Sequence, residues 1–158
     1  MNINSQISHF FRSIGLIYFA DLVRYKFKQI SMRSENQSFK RKHPHFKLPP
    51  DYLLYESFQL NYTLYYETGR ETAEWLANHF KKYVELKDVK ILDWGCGPGR
   101  VIRHLPDFAG ANCKIYGTDY NERSIEWCKA NLELINFNLN TLDAKLPYPN
   151  NFFDVIYG

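Results

Sequence analysis

The sequence predicts an α/β fold in which a doubly wound parallel sheet of about four strands follows a helical N-terminal region. From residue 88 onward, short apolar segments alternate with amphipathic ones, which is the pattern of strands joined by helices. A glycine-rich run directly follows the first of these apolar segments. Residues 5–30 show a helical period instead, and residues 1–47 have an excess of basic side chains. We therefore expect a basic helical arm and linker over 1–50 and a sheet-containing domain over 51–158.

The length and composition indicate one folded domain rather than a disordered or membrane-spanning chain. The 158 residues are 45% apolar, and no apolar run approaches the roughly 20 residues that a membrane-spanning helix needs. The first residues lack a signal-peptide pattern. Cys96, Cys113 and Cys128 are odd in number and form no CxxC pair, which favours a reducing compartment. We therefore expect a cytoplasmic protein without a metal site.

The N-terminal arm is predicted to be a helix over 5–30, followed by a polar and basic linker over 34–50. Residues 1–47 contain nine Lys or Arg and two acidic residues. A solvated basic face explains this charge, but a weak contact with an acidic membrane surface or with an anionic glycan stays open, and a nucleic acid is not favoured. The apolar side of the helix is expected to pack on protein by default.

The segment between the arm and the sheet contains an aromatic-rich stretch and a second helix. Tyrosine and phenylalanine recur through residues 51–66, and the helix is expected over 71–84. Its apolar stripe is predicted to consist of Thr72, Trp75, Leu76, Phe80 and Val84.

The sheet elements follow in order. Strands are predicted over 89–92, 113–118, 135–142 and 153–157. Helices are predicted over 99–105 and from a cap at Asn121 to about residue 134. This alternation implies parallel strands with right-handed crossovers.

The most informative run is the one that follows the first strand, Asp93-Trp94-Gly95-Cys96-Gly97-Pro98-Gly99. Glycine is needed in such a turn where a ligand lies on the backbone or where the torsion angles are unusual. A dinucleotide fingerprint would read G-x-G-x-x-G, with a helix N-terminus aimed at phosphates. This run reads D-x-G-x-G-x-G. An acid before the first glycine suits a ligand that carries an ammonium and a sulfonium better than one that carries phosphates.

The run resembles the first motif of class I S-adenosylmethionine-dependent methyltransferases, and three further segments resemble later motifs of that family in the expected order. They are residues 115–119, 142–148 and 152–157. The resemblance covers about residues 88–158 and implies a Rossmann-like sheet with S-adenosylmethionine as cofactor. It implies that Asp119 binds the ribose hydroxyls, that Asp143 binds the adenine amino group and that Ala144 acts through its backbone. The implied cofactor contacts are Asp93, Gly95, Cys96, Gly97, Gly99, Asp119, Tyr120, Asp143, Ala144 and Arg70, the last by reaching the methionine carboxylate.

Some of these residues also have plainer interpretations. Asp119 could cap the helix that follows it. Cys96 lies near a predicted helix N-terminus, which would favour a thiolate, but a small side chain that fits the turn is the preferred interpretation. His104 is expected to be a surface or half-buried histidine rather than a general base. The sequence identifies no catalytic residue.

The resemblance implies methyl transfer to an acceptor that the sequence does not identify, with a small molecule, a sugar or a lipid-linked glycan favoured. The family fold has seven strands and this sequence provides four, so we expect a truncated chain with impaired binding and turnover. A non-catalytic S-adenosylmethionine-binding module and, less favoured, a nicotinamide-dependent oxidoreductase are the alternatives. An aminopropyl transferase is the least favoured alternative function. The oligomeric state is not predicted.

Overall fold

The computed structural model describes residues 16–141 and 146–158, which form a group of helices followed by a parallel sheet. The helices of the first group are α1 (Leu16–Ser31), α2 (Arg33–Lys42), α3 (Asp51–Ser57) and α4 (Tyr62–Phe80). The elements that follow are β1 (Lys90–Trp94), a 3₁₀ turn (Ile102–His104), α5 (Leu105–Phe108), β2 (Lys114–Asp119), α6 (Glu122–Asn131), β3 (Ile135–Leu139) and β4 (Val155–Tyr157). Within the described ranges, no helix combines the length and the apolar character needed to cross a membrane.

The four strands form one parallel sheet in the order β3-β2-β1-β4, which confirms the predicted fold class. Ile91 of β1 aligns with Ile115 of β2 and with Val155 of β4. Ile91 and Ile115 lie on one face of the sheet, and side chains of α4 and α6 form an apolar core with that face. On the other face, the ring of Tyr116 lies 5.3 Å from that of Phe153.

Helix α4 differs from its prediction in both its start and its buried stripe. It begins at Tyr62 rather than near residue 71, because the Asn61 side chain caps it by accepting a hydrogen bond from the Leu64 backbone N–H at 2.9 Å. Its buried face includes Gly69, Ala73 and Ala77, which allow the helix to approach its neighbours closely. Trp75 is 61% exposed, so the predicted stripe was wrong at that position.

The predicted linker over 34–50 is wrong for its first part, since Arg33–Lys42 forms α2. Phe39 is 3% exposed and belongs to an aromatic cluster with Tyr62 and Tyr65 of α4. The Asn36 side chain accepts a hydrogen bond from the Tyr62 backbone N–H at 3.0 Å. A single buried phenylalanine in a polar segment gives little periodic signal, which explains the error. The predicted division at residue 50 separates Phe39 from the side chains on which it packs.

The helix predicted over 99–105 is replaced by turns, the 3₁₀ segment and the short α5. Gly97 and Gly99 have φ angles of 52° and 81°, which are incompatible with a right-handed helix at these positions. The strands and α6 lie near their predicted positions, although α6 ends at Asn131 and β3 at Leu139, both earlier than expected. Of the helix predicted over 5–30, α1 covers the part from Leu16 onward, and the earlier part lies outside the described residues.

Candidate functional site

The order of the strands places a candidate site at the carboxyl ends of β1, β2 and β4. The chain passes from β1 to β2 and β3 on one side, and β4 then pairs with the other side of β1. In open parallel sheets, ligands bind beside the carboxyl ends of the strands where the order reverses in this way. A cleft of about 1010 Å³ lies at this point, and its walls include Asp93, Gly95, Gly97, Asp119 and Tyr157.

The glycine-rich turn forms one wall of the cleft, and its glycines serve different purposes. Gly95 has a φ of 88°, and a Cβ placed there would have no atom within 4 Å, so its backbone is open to a ligand. At Gly97 the nearest atom to such a Cβ is Cβ of Ser57, at 3.7 Å. A Cβ at Gly99 would lie 2.8 Å from Cδ1 of Leu132. Gly99 is therefore required by packing, whereas Gly95 and Gly97 leave room beside the backbone.

Helix α4 packs against the glycine-rich turn and fixes its position. The buried Tyr65 hydroxyl donates a hydrogen bond to the Pro98 carbonyl oxygen at 2.8 Å. A Cβ at Gly69 would collide with the Arg100 carbonyl oxygen, so only glycine allows the helix to approach so closely at this position. The position of the turn thus depends on residues well outside the glycine motif.

Asp119, at the end of β2, connects the glycine-rich turn to the segment that leads into α6. One carboxylate oxygen accepts a hydrogen bond from the Gly97 backbone N–H and the other from the Asn121 backbone N–H, both at 2.8 Å. The helix itself is capped by Asn121, which accepts from the Ser124 backbone N–H at 3.2 Å. Each carboxylate oxygen has a second lone pair, so Asp119 retains acceptor capacity toward the cleft.

Asp93 is an acid of the site whose pKa is strongly shifted. The residue is 5% exposed, and its carboxylate accepts a hydrogen bond from the Tyr157 hydroxyl at 2.9 Å. Burial raises the pKa of Asp93 to about 7, and the nearby charge of Asp119 adds to this rise, while the Tyr157 hydrogen bond and Arg100 oppose it. A small change in the neighbouring charge is therefore enough to change the protonation of Asp93 near neutral pH.

The charges around the cleft are unequal. Its lining includes four carboxylates, those of Asp21, Glu56, Asp93 and Asp119. Among the described residues that line it, Arg100 is the one Lys or Arg. The Arg100 guanidinium donates to the Thr68 hydroxyl at 3.1 Å and lies 4.7 Å from the centre of the Phe58 ring. This arrangement favours a ligand with more than one positive charge and a single carboxylate.

Sequence reasoning did not find Arg100, Phe58 or Tyr157 as site residues. Arg100 directly follows the last glycine of the motif, so its position in the sequence was a usable signal. Phe58 and Tyr157 reach the cleft only because α3 and β4 fold beside the turn, and no local pattern indicates this.

Arg70 is not brought to the cleft. Its guanidinium pairs with the Asp107 carboxylate at 3.1 Å and lies over the ring of Phe108, beside a separate cavity of about 340 Å³. Arg70 lies away from the cleft because it follows Gly69 in α4. Gly69 faces the glycine-rich turn, so the next side chain of the helix points in a different direction.

The remaining predicted residues occupy different surroundings. Tyr120 is 76% exposed at the rim of the cleft. Cys96 lines the cleft but is buried, and burial raises the pKa of its thiol, which disfavours a nucleophilic thiolate. His104, expected at or near the surface, is 5% exposed, and burial lowers its pKa to about 4. Asp143 and Ala144 lie outside the described residues.

Known proteins resemble the part of the chain that forms this site. Residues 91–158 match a family described as methyltransferase domain. The demethylmenaquinone methyltransferase of Lactococcus lactis subsp. lactis (strain IL1403) is 33% identical over 86 residues, which is 52% of this chain and 34% of that protein. This chain thus spans about a third of the length of that relative.

Solved structures of methyltransferases also match. A TehB-like enzyme from Corynebacterium glutamicum is 25% identical over 51% of this chain and 41% of its own, with a TM-score of 0.41. An S-adenosylmethionine-dependent methyltransferase from Mesorhizobium loti is 31% identical over 54% of this chain and 38% of its own, with a TM-score of 0.40. The family match therefore shows that residues 91–158, which contain the glycine-rich turn and, apart from Lys90, all four strands, are similar to a methyltransferase domain.

Proposed function

We propose that the cleft binds S-adenosylmethionine and that the protein transfers its methyl group to a small molecule, a sugar or a lipid-linked glycan. The observation that carries the proposal is the charge of the cleft, where four carboxylates and Arg100 surround an open glycine backbone. S-adenosylmethionine carries an ammonium, a sulfonium and one carboxylate, and these charges complement that lining. The cleft volume lies at the upper end of the range of about 300–1,000 Å³ that is usual for small-molecule sites.

The residues present fit this cofactor. Gly95 and Gly97 leave their backbone free of side chains, so the methionine part can lie against the turn beside Asp93. The free lone pairs of Asp119 can accept from two vicinal ribose hydroxyls. Arg100 is placed to bind the methionine carboxylate, and Tyr120 offers an exposed ring at the rim. When bound, the cofactor supplies a methyl group on a sulfonium, which is already an activated leaving group.

The contribution of the chain to catalysis is then mainly one of position. The glycine-rich turn is fixed to the end of β2 by backbone hydrogen bonds that the Gly95 and Cys96 N–H groups donate to the Thr118 carbonyl oxygen at 2.7 and 3.0 Å. A rigid wall of this kind lowers the barrier by holding two reactants in a productive orientation. Asp93 and Tyr157 both line the cleft and form a hydrogen-bonded pair, in which the Tyr157 hydroxyl holds its proton toward the carboxylate.

A nicotinamide-dependent oxidoreductase is less consistent with the cleft. A dinucleotide site places its pyrophosphate at the N-terminus of an α-helix that directly follows the glycines. Here the glycine turn continues into turns and a 3₁₀ segment, and α5 begins only at Leu105. The carboxylates around the cleft would also repel phosphates.

Calorimetric titration with S-adenosylhomocysteine, and with NADH as the comparison, tests the cofactor assignment. We expect S-adenosylhomocysteine to bind with a dissociation constant in the micromolar range, about −8 kcal/mol, and NADH to give no saturable heat. Binding of NADH alone would contradict the proposal.

The Arg100→Gln variant tests the role of the single cleft cation. We expect it to weaken S-adenosylhomocysteine binding about 10- to 50-fold, because a charge-assisted hydrogen bond to the carboxylate is lost. It should change the affinity for 5′-methylthioadenosine, which has no carboxylate, by no more than about twofold. Arg70→Gln is the matched control, since Arg70 lies outside the cleft. If Arg70→Gln weakened binding and Arg100→Gln did not, the assignment of the carboxylate site would be reversed.

A further inference from the structure

Helix α1 has two faces of different character. Its inner face carries Asp21, Tyr25 and Gln29, which contact the segment around α3. The Tyr55 hydroxyl donates to Asp21 at 2.8 Å, and the Gln29 amide donates to Asp51 at 3.1 Å. The Tyr25 ring packs against that of Tyr52 at 5.2 Å. The helix is therefore held on one side by specific contacts, which fixes the direction in which its other side points.

The outer face of α1 is apolar and exposed. Phe19, Val23, Phe27 and Ile30 are spaced by four, four and three residues, so they form one stripe along the helix. Their exposed fractions are 61%, 51%, 68% and 76%. Single exposed apolar residues are ordinary, but a continuous stripe of large ones marks an interaction surface.

The same helix is basic. Arg24, Lys26 and Lys28 are exposed, and within the described part of the chain none of them is ion-paired. Lys26 lies at the border between the two faces, one turn before Ile30, and its ammonium donates to the Gln29 amide oxygen at 3.1 Å. Exposed basic residues continue into α2 with Lys40, Arg41 and Lys42.

We propose that α1 docks lengthwise on a bilayer that contains anionic phospholipids. Phe19, Val23, Phe27 and Ile30 would enter the boundary between headgroups and acyl chains, and the neighbouring basic side chains would lie against the lipid phosphates. This combination of an apolar stripe and basic flanks is what binds a helix in the plane of a membrane surface.

Charge distinguishes this occupant from a second copy of the chain. Residues 16–47 contain eight Lys or Arg and two acids, so two copies joined through α1 would bring like charges together. An anionic surface offers the opposite charge over the whole length of the helix. The position is also useful for the proposed function, since α1 contributes Asp21 to the cleft wall and docking keeps the cleft next to the membrane surface.

Flotation of the full chain with vesicles tests the proposal without cofactor or acceptor, so its outcome is separate from that of the cofactor titration. One set of vesicles contains phosphatidylcholine and phosphatidylglycerol in a roughly two-to-one ratio, and the other contains phosphatidylcholine alone. We expect strong partitioning to the anionic vesicles, weakened by added salt. A variant that combines Phe27→Gln and Ile30→Gln should partition at least about tenfold less. Leu134→Gln is the matched control, because Leu134 is 79% exposed outside α1, and it should stay within about twofold of the original chain.

Since both altered side chains of α1 are exposed, the double variant should keep the unfolding temperature of the original chain, and this is checked alongside. The proposal is overturned if the chain does not prefer anionic vesicles, or if the double variant floats as well as the original. It is also overturned if sedimentation shows a dimer that the two α1 substitutions dissociate, because the stripe would then be an interface between copies.

Discussion

Asp119→Ala is expected to lower the affinity for S-adenosylhomocysteine more than about a hundredfold and to lower the free energy of unfolding by about 2–4 kcal/mol. The affinity falls because the carboxylate that would accept from the ribose is gone. The stability falls because the Gly97 and Asn121 backbone N–H groups lose their acceptor at the same time. Calorimetric titration and urea unfolding measure the two effects separately.

Two controls accompany this variant. Asp119→Asn retains one carbonyl oxygen, so it should lie between the original chain and the alanine variant in both measurements. Asp107→Ala removes an acid whose ion pair with Arg70 is exposed, and it should change stability by no more than about 1 kcal/mol. An Asp119→Ala chain that bound the ligand normally would show that the ribose is not held at the end of β2.

Asp93→Asn should have opposite effects on stability and on binding. The variant is expected to be more stable than the original chain by about 1–3 kcal/mol at about pH 8, because it no longer buries an ionised carboxylate. It should bind S-adenosylhomocysteine at least about tenfold more weakly, because the carboxylate near the ammonium is neutral. Thermal unfolding and titration of the same preparations measure both.

The pH dependence follows from the direction of the shift. The pKa of Asp93 rises from its ordinary value of 3.8 to about 7 on folding, so between these values the folded chain binds more protons than the unfolded one. The contribution of Asp93 to stability should therefore fall as pH rises from about 4 to about 7 and then level off. Burial lowers the pKa of His104 from 6.5 to about 4, and this gives a slope of opposite sign in both chains, so the measured quantity is the difference between the original chain and Asp93→Asn. Asp93→Asn should lack this part of the slope, and the two chains should converge below about pH 4. Equal stability of the two chains at about pH 8 would contradict the burial of the charge.

The structure places the motif residues Gly95, Gly97 and Asp119 around one cleft for a physical reason. Gly95, Gly97 and Asp119 lie at the ends of adjacent parallel strands, so the order of strands along the chain is enough to bring them together. Strand positions were also predictable, because β1 and β2 are buried apolar segments bounded by polar residues.

The parts that were not predicted depend on contacts distant in sequence. The path of α4 depends on Gly69, Ala73 and Ala77, whose small side chains pack closely but contribute weakly to a hydrophobic pattern. Helix α2 is held by Phe39 against an aromatic cluster that forms only when α4 is in place. Arg70 and Arg100 could be distinguished only by the fold, since both lie near the motif and only one reaches the cleft.

The structure of the chain crystallised with S-adenosylhomocysteine tests the central claim most directly. We expect the ligand in the cleft at the carboxyl ends of β1, β2 and β4, with its ribose hydroxyls about 2.7 Å from the Asp119 carboxylate and its carboxylate on Arg100. Density for the ligand beside Arg70 and His104, or its absence from the cleft of a folded chain at saturating concentration, would contradict the assignment of this cleft as the cofactor site.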